Sequence, residues 1–265
     1  MNTVVQDPLP FGSMGVVVKL HAALGISSGD VAAFVGAGGK SSAILAVSGG
    51  LTGEGRKVLV APTTKMLLSE VDRIGPLVTS EDAGDLRAKT EKALSEAPAV
   101  VVGSGMLSKN RVGGVDPGWV GDLTGLADVV LVEADGSRRR PIKGTAEHEP
   151  ALPDATTLTV AVGNVHALGS PVDEEHVHRP AIFSDLTGIG QGQSITPRAF
   201  ALAVARGSLA SVPRTSRTVA LITGVEPGRS MSDASVITRE LWRLGVKNVV
   251  LASLPTQAPA RVWIP

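Results

Sequence analysis

The sequence predicts an α/β protein with a mostly parallel, doubly wound sheet covered by helices on both faces, in three layers. Short runs of β-branched and other apolar residues recur along the chain, as is typical of strands buried on both faces. The segments between them carry apolar residues three and four positions apart, as is typical of helices that pack one face on a sheet. Strands that alternate with helices indicate parallel crossover units.

Seven apolar runs are predicted strands, and in chain order they are 31–35, 57–61, 99–103, 128–133, 158–163, 218–223 and 248–252. The predicted crossover helices are 41–48, 80–97, 197–205 and 230–244. Ser80 is followed by two acidic residues and is the expected N-cap of the second helix. Glycine and polar residues dominate 104–118 and 163–171, which are therefore predicted loops.

The length of 265 residues suits one large α/β domain, predicted here for 16–265 after a disordered tail at 1–15. The first ten residues have neither a basic start nor an apolar run, so they do not resemble a signal peptide. Glycines and charges interrupt every hydrophobic segment before it reaches the length of a membrane span. We therefore expect no membrane partner and a cytoplasmic location.

Charge and composition exclude several function classes. Lys and Arg together number 25, as do Asp and Glu, so no overall field attracts nucleic acid, and an aromatic content of 3% offers few stacking platforms. The chain has no cysteine, which excludes disulfides, iron–sulfur ligation, thiolate zinc sites and a cysteine nucleophile. Any anionic ligand must be met by a local group of residues.

A glycine-rich loop joins the first predicted strand to the first predicted helix, and its residues are Gly36, Ala37, Gly38, Gly39, Lys40, Ser41 and Ser42. Small residues let the backbone N–H groups turn inward to cradle phosphate oxygens, and the helix N-terminus adds positive potential. Lys40 can neutralise the β- and γ-phosphates, and the Ser41 hydroxyl can bind Mg²⁺. The pattern favours a P-loop NTPase-like fold that binds ATP or GTP with Mg²⁺.

This loop is shorter than the usual phosphate loop, because Phe34 stands where the first glycine is expected. One alternative is a strand-to-helix turn with a surface lysine. Another is a dinucleotide-binding loop, but the third glycine is missing at the required spacing. The choice between ATP and GTP stays open, since residues 223–226 are Thr-Gly-Val-Glu where a GTPase would have Asn-Lys-x-Asp.

Two carboxylates follow the predicted strand 128–133. A P-loop NTPase needs an acid at the end of a second apolar strand to hold Mg²⁺ or to order the attacking group. Glu133 and Asp135 supply it, and strand alternation places them on one side if the strand continues. We therefore expect Ser41, Glu133 and Asp135 at the metal, and Lys40, Glu133 and Asp135 in catalysis.

Three polar segments are candidates for substrate contact. The segment 137–150 combines basic residues with Glu147, His148 and Glu149, which suits anion recognition together with acid–base catalysis by His148. Residues 62–65 follow the second strand and should lie at the same sheet edge, although a threonine there could instead cap a helix. His176 and His178 could bind metal from one face of a strand, but a clear third ligand is missing. The candidate substrate residues are Thr63, Thr64, Lys65, Arg138, Lys143, Glu149, His178 and Arg179.

Four segments resemble the YqeC family: the glycine loop, 133–137 (Glu-Ala-Asp-Gly-Ser), 141–150 with its Pro-Ile-Lys and Glu-His-Glu-Pro, and 177–179 (Val-His-Arg). The resemblance covers most of the chain. Family members are described as accessory proteins of selenium-dependent hydroxylases, in selenium cofactor biosynthesis. The resemblance therefore implies a P-loop NTPase that helps to mature a molybdenum hydroxylase, with a nucleotide and that hydroxylase or its cofactor as partners.

The sequence departs from the family pattern at two places. Lys40-Ser41-Ser42 stands where Lys-Thr-Thr is common, which keeps the hydroxyl for Mg²⁺, and Thr145 stands where a proline is common, which relaxes the segment before His148. Two other functions stay open. A Mur-ligase-like ATP-dependent ligase uses a similar short loop, although 265 residues hardly accommodate its further domains. A non-catalytic, nucleotide-gated chaperone would grip a partner enzyme and hydrolyse slowly or never.

Overall fold

The computed structural model describes residues 16–254 and 260–263, and most of its strands lie in one ten-stranded sheet. The strands in chain order are β1 (Val16–Val18), β2 (Val31–Gly36), β3 (Val58–Val60), β4 (Met66–Leu67), β5 (Leu77–Thr79), β6 (Ala99–Gly103), β7 (Gly105–Ser108), β8 (Arg111–Gly113), β9 (Val129–Glu133), β10 (Ile142–Lys143), β11 (Leu158–Asn164), β12 (Val177–His178), β13 (Arg217–Thr223), β14 (Val249–Ala252) and β15 (Ala260–Trp263).

The helices in chain order are α1 (Leu20–Ala23), α2 (Lys40–Thr52), α3 (Leu68–Val71), α4 (Ala83–Glu96), α5 (Val120–Leu123), α6 (Pro180–Thr187), α7 (Pro197–Leu202) and α8 (Arg229–Arg243). Three short 3₁₀ segments and one π-helical segment, Ala203–Ser208 directly after α7, complete the helical structure of the described residues.

The large sheet has the order β1-β15-β14-β13-β11-β2-β9-β3-β6-β5. Eight of its strands, from β14 to β5 in that order, run parallel, and β15 and β1 are added antiparallel at one edge. The chain builds one half of the sheet from β2 to β9 and then crosses β2 to continue with β11. The glycine loop thus leaves β2 at the point where the strand order reverses, where parallel sheets open a crevice at their carboxyl edge.

The sheet buries apolar residues on both faces, which explains the near-continuous hydrophobic runs. In β2, Val31, Ala33 and Val35 face one core, while Ala32 and Phe34 face the other. The apolar residues of α1, α2 and α3 pack in the core with Phe34, and those of α4 to α8 pack in the opposite core. The protein is therefore a three-layer α/β structure, as the sequence predicts.

All seven predicted strands are confirmed, with bounds that differ by no more than one residue at either end. The four predicted helices are also present, and 197–205 continues as the π-helical segment. The N-cap of α4 is Asp82 and not Ser80, because the Asp82 carboxylate accepts the N–H of Asp85 at 2.8 Å. Ser80 instead accepts the N–H of Asp82 and donates to the Asp85 carboxylate.

The prediction of a loop over 104–118 is wrong. β7 and β8 form an antiparallel hairpin there, and β4 pairs with β8 to make a separate three-stranded sheet. The hairpin is short and its β7 residues are largely exposed, so the sequence lacks the apolar alternation that marks a strand. Loop 163–171 is confirmed except that Gly163 and Asn164 end β11.

No helix in the described part of the chain is both long enough and apolar enough to cross a membrane. The predicted disordered tail, 1–15, lies outside the described residues, so that prediction stays untested.

Candidate functional site

The glycine loop is held in place by backbone contacts that leave no room for side chains. Gly36, Gly38 and Gly39 have φ angles of +89°, +82° and +125°, which only glycine adopts without strain. A Cβ on Gly36 would lie 2.3 Å from the Val162 carbonyl oxygen, and one on Gly38 would lie 2.6 Å from that of Pro141. Both glycines are therefore required by conformation and by close approach of β11 and the segment before β10.

Not every N–H group of the loop turns inward, in contrast to the expectation from sequence. The Gly36 N–H donates to the Asp135 carboxylate at 2.8 Å, and the Ala37 N–H donates to the Val162 carbonyl at 2.9 Å. The N-cap of α2 is Gly39, which offers no side-chain cap. The N–H groups of the first turn of α2 have no acceptor within the helix, so these are the groups that can donate hydrogen bonds to a bound anion.

Lys40 is the first residue of α2, and its ammonium group is buried at 3% exposure. Its Nζ donates to the Gly36 carbonyl at 2.8 Å and lies 3.1 Å from Asp135 Oδ1 and 3.8 Å from Glu133 Oε1. Burial acts to lower the pKa of Lys40, but the two carboxylates outweigh it and raise the pKa above its ordinary value. Lys40 is thus a permanent buried cation at a helix N-terminus.

Ser41 and Glu133 form the second contact between α2 and the carboxyl end of β9. The Ser41 hydroxyl donates to Glu133 Oε2 at 2.9 Å. Burial raises the pKa of Glu133, and Lys40 and the Ser41 hydroxyl offset part of that rise. Glu133 and Asp135 both reach Lys40 even though β9 ends at Glu133, so the expected convergence does not depend on a continuing strand.

Asp135 is fully buried and is shared by three partners. It accepts from the Gly36 N–H at 2.8 Å and from Lys143 Nζ at 3.0 Å, and it makes the ion pair with Lys40. A buried carboxylate is retained at low cost only when it is paired and hydrogen-bonded, and these partners supply both. Asp135 therefore links the glycine loop to the segment that contains β10.

Lys143 and Glu149 extend the charge network away from the loop. Lys143 Nζ, at 1% exposure, donates to Glu149 Oε2 at 2.6 Å and to the Gly136 carbonyl at 2.9 Å. Arg179 also donates to Glu149, with Nη1 at 2.5 Å from the same oxygen, Oε2, and Nη2 at 3.2 Å from Oε1. Burial opposes ionisation of Glu149, but the hydrogen bonds from Arg179 and Lys143 lower its pKa to about 2.

His178 lies beside this network because β10 and β12 form a two-stranded parallel sheet with Lys143 opposite His178. Burial lowers the pKa of His178 to about 4, and the positive charges of Arg179, Lys143 and Arg138 act in the same direction. The imidazole is therefore neutral near pH 7. His176 lies outside β12 and contacts Asp173 at 2.8 Å, so the two histidines do not share a strand face.

The remaining predicted residues lie at the edge of the network. The Thr63 hydroxyl donates to the Ala151 carbonyl at 2.8 Å and caps no helix, and the backbone of Thr63 and Thr64 packs so closely on Gly114 that a Cβ there would lie 2.4 Å away. Lys65 and Ser42 are exposed. His148 is also exposed, and no hydrogen bond or ion pair joins its side chain to the network among the residues that the structure describes.

Thr223 and Asn164 were not anticipated from the sequence. The Thr223 hydroxyl donates to the Gly38 carbonyl at 2.5 Å. Asn164 packs so closely on Gly38 that a Cβ on Gly38 would lie 2.5 Å from the Asn164 Cβ. They stand at the carboxyl ends of β13 and β11, which lie on the side of β2 away from Glu133. The position of a polar residue at a strand end was the available signal, but the sheet order was needed to use it.

The site thus combines buried cations, carboxylates and a hydroxyl at one helix N-terminus. Three cations and three carboxylates alternate along it, and they are Lys40, Lys143, Arg179, Glu133, Asp135 and Glu149. Within the described ranges, no group of three or more His, Cys, Asp or Glu side chains is placed to hold a metal ion. A cation that takes one or two carboxylates and completes its shell with water and phosphate, as Mg²⁺ does, matches this donor set better than a metal with an all-protein cage.

Two comparisons with known proteins relate the chain to others. The family model described as "YqeC protein" matches residues 32–181, which is more than half of the chain and includes the glycine loop and the whole charge network. The chain is 35% identical over 161 residues to the "Uncharacterized protein YqeC" of Escherichia coli (strain K12). That match covers 60% of this chain and 61% of the relative's length.

Proposed function

Since this chain belongs to the YqeC family, we propose that it binds a nucleoside triphosphate with Mg²⁺ at the glycine loop and acts as an accessory protein in the maturation of a selenium-dependent molybdenum hydroxylase. The observation that carries the nucleotide proposal is Lys40. It is a buried ammonium group at the N-terminus of a 13-residue helix, directly after a loop of three glycines in left-handed conformations.

A buried lysine at this position favours a polyanionic ligand. The first-turn N–H groups of α2 and the helix dipole add positive potential where Lys40 lies, and no carboxylate side chain belongs to the first turn of that helix. Its ion pairs with Asp135 and Glu133 hold the ammonium in place without a ligand. Triphosphate oxygens would take over the contacts of Lys40, so binding requires the ammonium to turn from the carboxylates to the phosphates.

The same exchange would free the residues that suit Mg²⁺. The Ser41 hydroxyl and Glu133 contact each other at 2.9 Å, and both are hard oxygen ligands. When Lys40 and Ser41 turn to the nucleotide, Ser41 would hold the cation directly, and Glu133 and Asp135 would hold it directly or through water. When bound, the cation supplies neutralisation of the charge that develops on the phosphates.

The carboxylates also provide the acid–base groups for hydrolysis. Burial raises the pKa of Glu133, which makes it a better proton acceptor than an ordinary carboxylate once Lys40 has turned away. Asp135 keeps the Gly36 N–H and Lys143 as partners, so its orientation is retained. We assign the positioning of an attacking water to Glu133 and the orientation of the loop to Asp135.

Equilibrium binding tests the nucleotide proposal. ATP, GTP and CTP, each with Mg²⁺, are titrated into the wild type, into Lys40→Ala and into Lys92→Ala, a matched control that removes an exposed lysine of α4. We expect one nucleotide to bind the wild type and Lys92→Ala equally, and Lys40→Ala to bind it at least about 100-fold more weakly. Absence of binding by all three nucleotides would refute the proposal, and equal binding by Lys40→Ala would refute the site.

The role in hydroxylase maturation is supported by the family resemblance. The sequence has no cysteine, so selenium would be carried by a partner protein or a small molecule, and the nucleotide would drive activation or insertion. Molybdenum hydroxylase activity is measured in a strain that lacks this protein and is then complemented with the wild type or Lys40→Ala. Full hydroxylase activity in the deletion strain would contradict this role. Selenium bound covalently to the purified protein would contradict its delivery by a partner protein or a small molecule.

A further inference from the structure

We propose that Arg138, His178 and Arg179, here called the arginine site, form a second anion-binding site that takes a tetrahedral oxyanion, such as the phosphate group of a second substrate. The site lies beside the glycine loop but shares none of its residues. Its role as the place of a second substrate next to a nucleotide rests on the proposed function, whereas its capacity to bind an oxyanion does not.

The backbone of the arginine site is strained in a way that the fold must maintain. Arg138, Arg139 and Arg179 have φ angles of +47°, +60° and +61°, and within the described ranges they are the only residues other than glycine with positive φ. Each such conformation costs about 1–3 kcal/mol, and arginine lacks the short polar side chain that eases it in asparagine and aspartate. Arg179 joins the charge network through Glu149, and Arg138 follows Gly136, whose carbonyl accepts from Lys143, so two of these strained arginines lie at the charge network.

Arg179 presents a fixed guanidinium. Its Nη1 and Nη2 each contact one oxygen of Glu149, a bidentate arrangement that orients the planar group and uses two of its five N–H donors. Lys143 also donates to Glu149 Oε2, at 2.6 Å, and so fixes the carboxylate. The guanidinium is therefore preorganised for a second oxyanion, and the cost of ordering a long side chain is already met.

The charges around His178 favour an anion. The positive charges of Arg179, Lys143 and Arg138 act on the imidazole, and Glu149 acts in the opposite direction. Asp135 balances Lys143 and Glu149 balances Arg179, so Arg138 leaves an excess of one positive charge beside a neutral ring. A neutral imidazole can donate one hydrogen bond to a bound oxyanion or accept a proton from it, and adds no further charge.

Short contacts connect the arginine site to the glycine loop. Arg179 contacts Glu149 at 2.5 Å, Glu149 contacts Lys143 at 2.6 Å, Lys143 contacts Asp135 at 3.0 Å, and Asp135 lies 3.1 Å from Lys40. Lys40 is the residue assigned to the nucleotide phosphates. An oxyanion at Arg179 would therefore lie on the same side of the sheet edge as those phosphates, as a substrate that reacts with or is activated by a nucleotide must.

Inorganic phosphate is the probe, and Lys40→Ala is the background because it disables the glycine loop. Calorimetric titration at pH 7 should show saturable binding of one phosphate to Lys40→Ala, and weaker binding of acetate. Adding Arg138→Gln should weaken phosphate binding at least about tenfold. Adding Arg140→Gln should change it less than about twofold, since Arg140 is in the same loop but its Nε donates to the Glu174 carbonyl.

Two results would overturn the arginine site: no saturable phosphate binding to Lys40→Ala, or equal weakening by Arg138→Gln and Arg140→Gln, which would indicate a diffuse basic surface. The same pair of variants in the wild-type background covers the case in which Lys40→Ala does not fold. The titration contains no nucleotide. A wild type that binds phosphate in this way but binds no nucleotide would therefore support the arginine site and refute the proposed function. A wild type that binds nucleotide but shows no phosphate binding sensitive to Arg138→Gln would support the proposed function and refute the arginine site.

Discussion

Lys143→Met removes the central cation of the buried network and keeps the length and apolar character of the side chain. Lys143 is 1% exposed and Asp135 is 0% exposed, so their contact is screened little by water. Removing one partner of a buried ion pair costs about 3–5 kcal/mol. Asp135 keeps Lys40 and the Gly36 N–H, and Glu149 keeps Arg179, which places the expected loss near the lower end, about 3 kcal/mol.

Urea denaturation of the wild type, Lys143→Met, Asp135→Asn and the double variant gives the free energy of unfolding and the coupling between the two residues. We expect the double variant to lose less than the sum of the single losses by at least about 1 kcal/mol, because each single variant already removes the shared contact. Lys92→Met, at an exposed position of α4, should stay within about 0.5 kcal/mol of the wild type.

A loss below about 1 kcal/mol for Lys143→Met, or additive losses in the double variant, would refute the inference that this ion pair is buried and shared. Additivity would indicate that the two residues contribute independently. A large loss for Lys92→Met as well would indicate a general effect of removing lysine charge and not a property of the network.

Three further predictions follow from the site. Gly38→Ala should destabilise the protein by more than about 2 kcal/mol and abolish nucleotide binding, because its Cβ would lie 2.6 Å from the Pro141 carbonyl oxygen at a φ of +82°. Gly49→Ala, with open space around this position of α2, should stabilise the protein by about 0.5–1 kcal/mol. Thermal unfolding of both variants tests this, and equal changes in stability would contradict the close approach at Gly38. The pKa of Glu149 is lowered from 4.5 to about 2, so its contribution to stability is fully present above pH 4.5 and is lost as pH falls toward 2. Glu149→Gln should be less stable than the wild type at pH 7, and its unfolding free energy should depend less on pH below 4.5. The same pH dependence in the variant and the wild type would contradict this. The pKa of His178 is lowered from 6.5 to about 4, so between those values the unfolded chain binds a proton that the folded protein does not, and stability falls as pH drops from 6.5 to 4. In urea denaturation, His178→Gln should lose less unfolding free energy between about pH 7 and about pH 5 than the wild type does. His166→Gln, at an exposed histidine, is the matched comparison.

The local elements of this protein are largely determined by its sequence. Strands such as β6 and β11 are near-continuous apolar runs, as expected of a sheet covered on both faces, and α8 has apolar residues on one helical face. The glycine loop is also determined by local sequence, because its three glycines with positive φ and the first residues of the following helix all lie within seven positions. Glu133 and Asp135 are visible because they follow an apolar strand.

Weak local signals account for what was missed. β5, β7 and β8 are short strands of partly exposed residues, so neither an apolar run nor a regular alternation marks them. Ser80 and Asp82 are both of residue types that cap helices, so the sequence does not show which of them is the N-cap of α4. The backbone conformation selects Asp82, and residue type alone does not encode that conformation.

The charge network is what the tertiary structure decided. Lys143, Glu149 and Arg179 stand out in the sequence as separate charged residues, and a charged residue in a polar segment is usually solvated. They become one buried network because β10 pairs with β12 and because the crossing of β2 brings the segment after β9 against the glycine loop. The sequence alone therefore determined the elements and the loop. The pairing of charges depended on strand order, since ion pairs such as Lys40 with Asp135 and Arg179 with Glu149 join residues far apart in the sequence and form only where the fold brings their segments together.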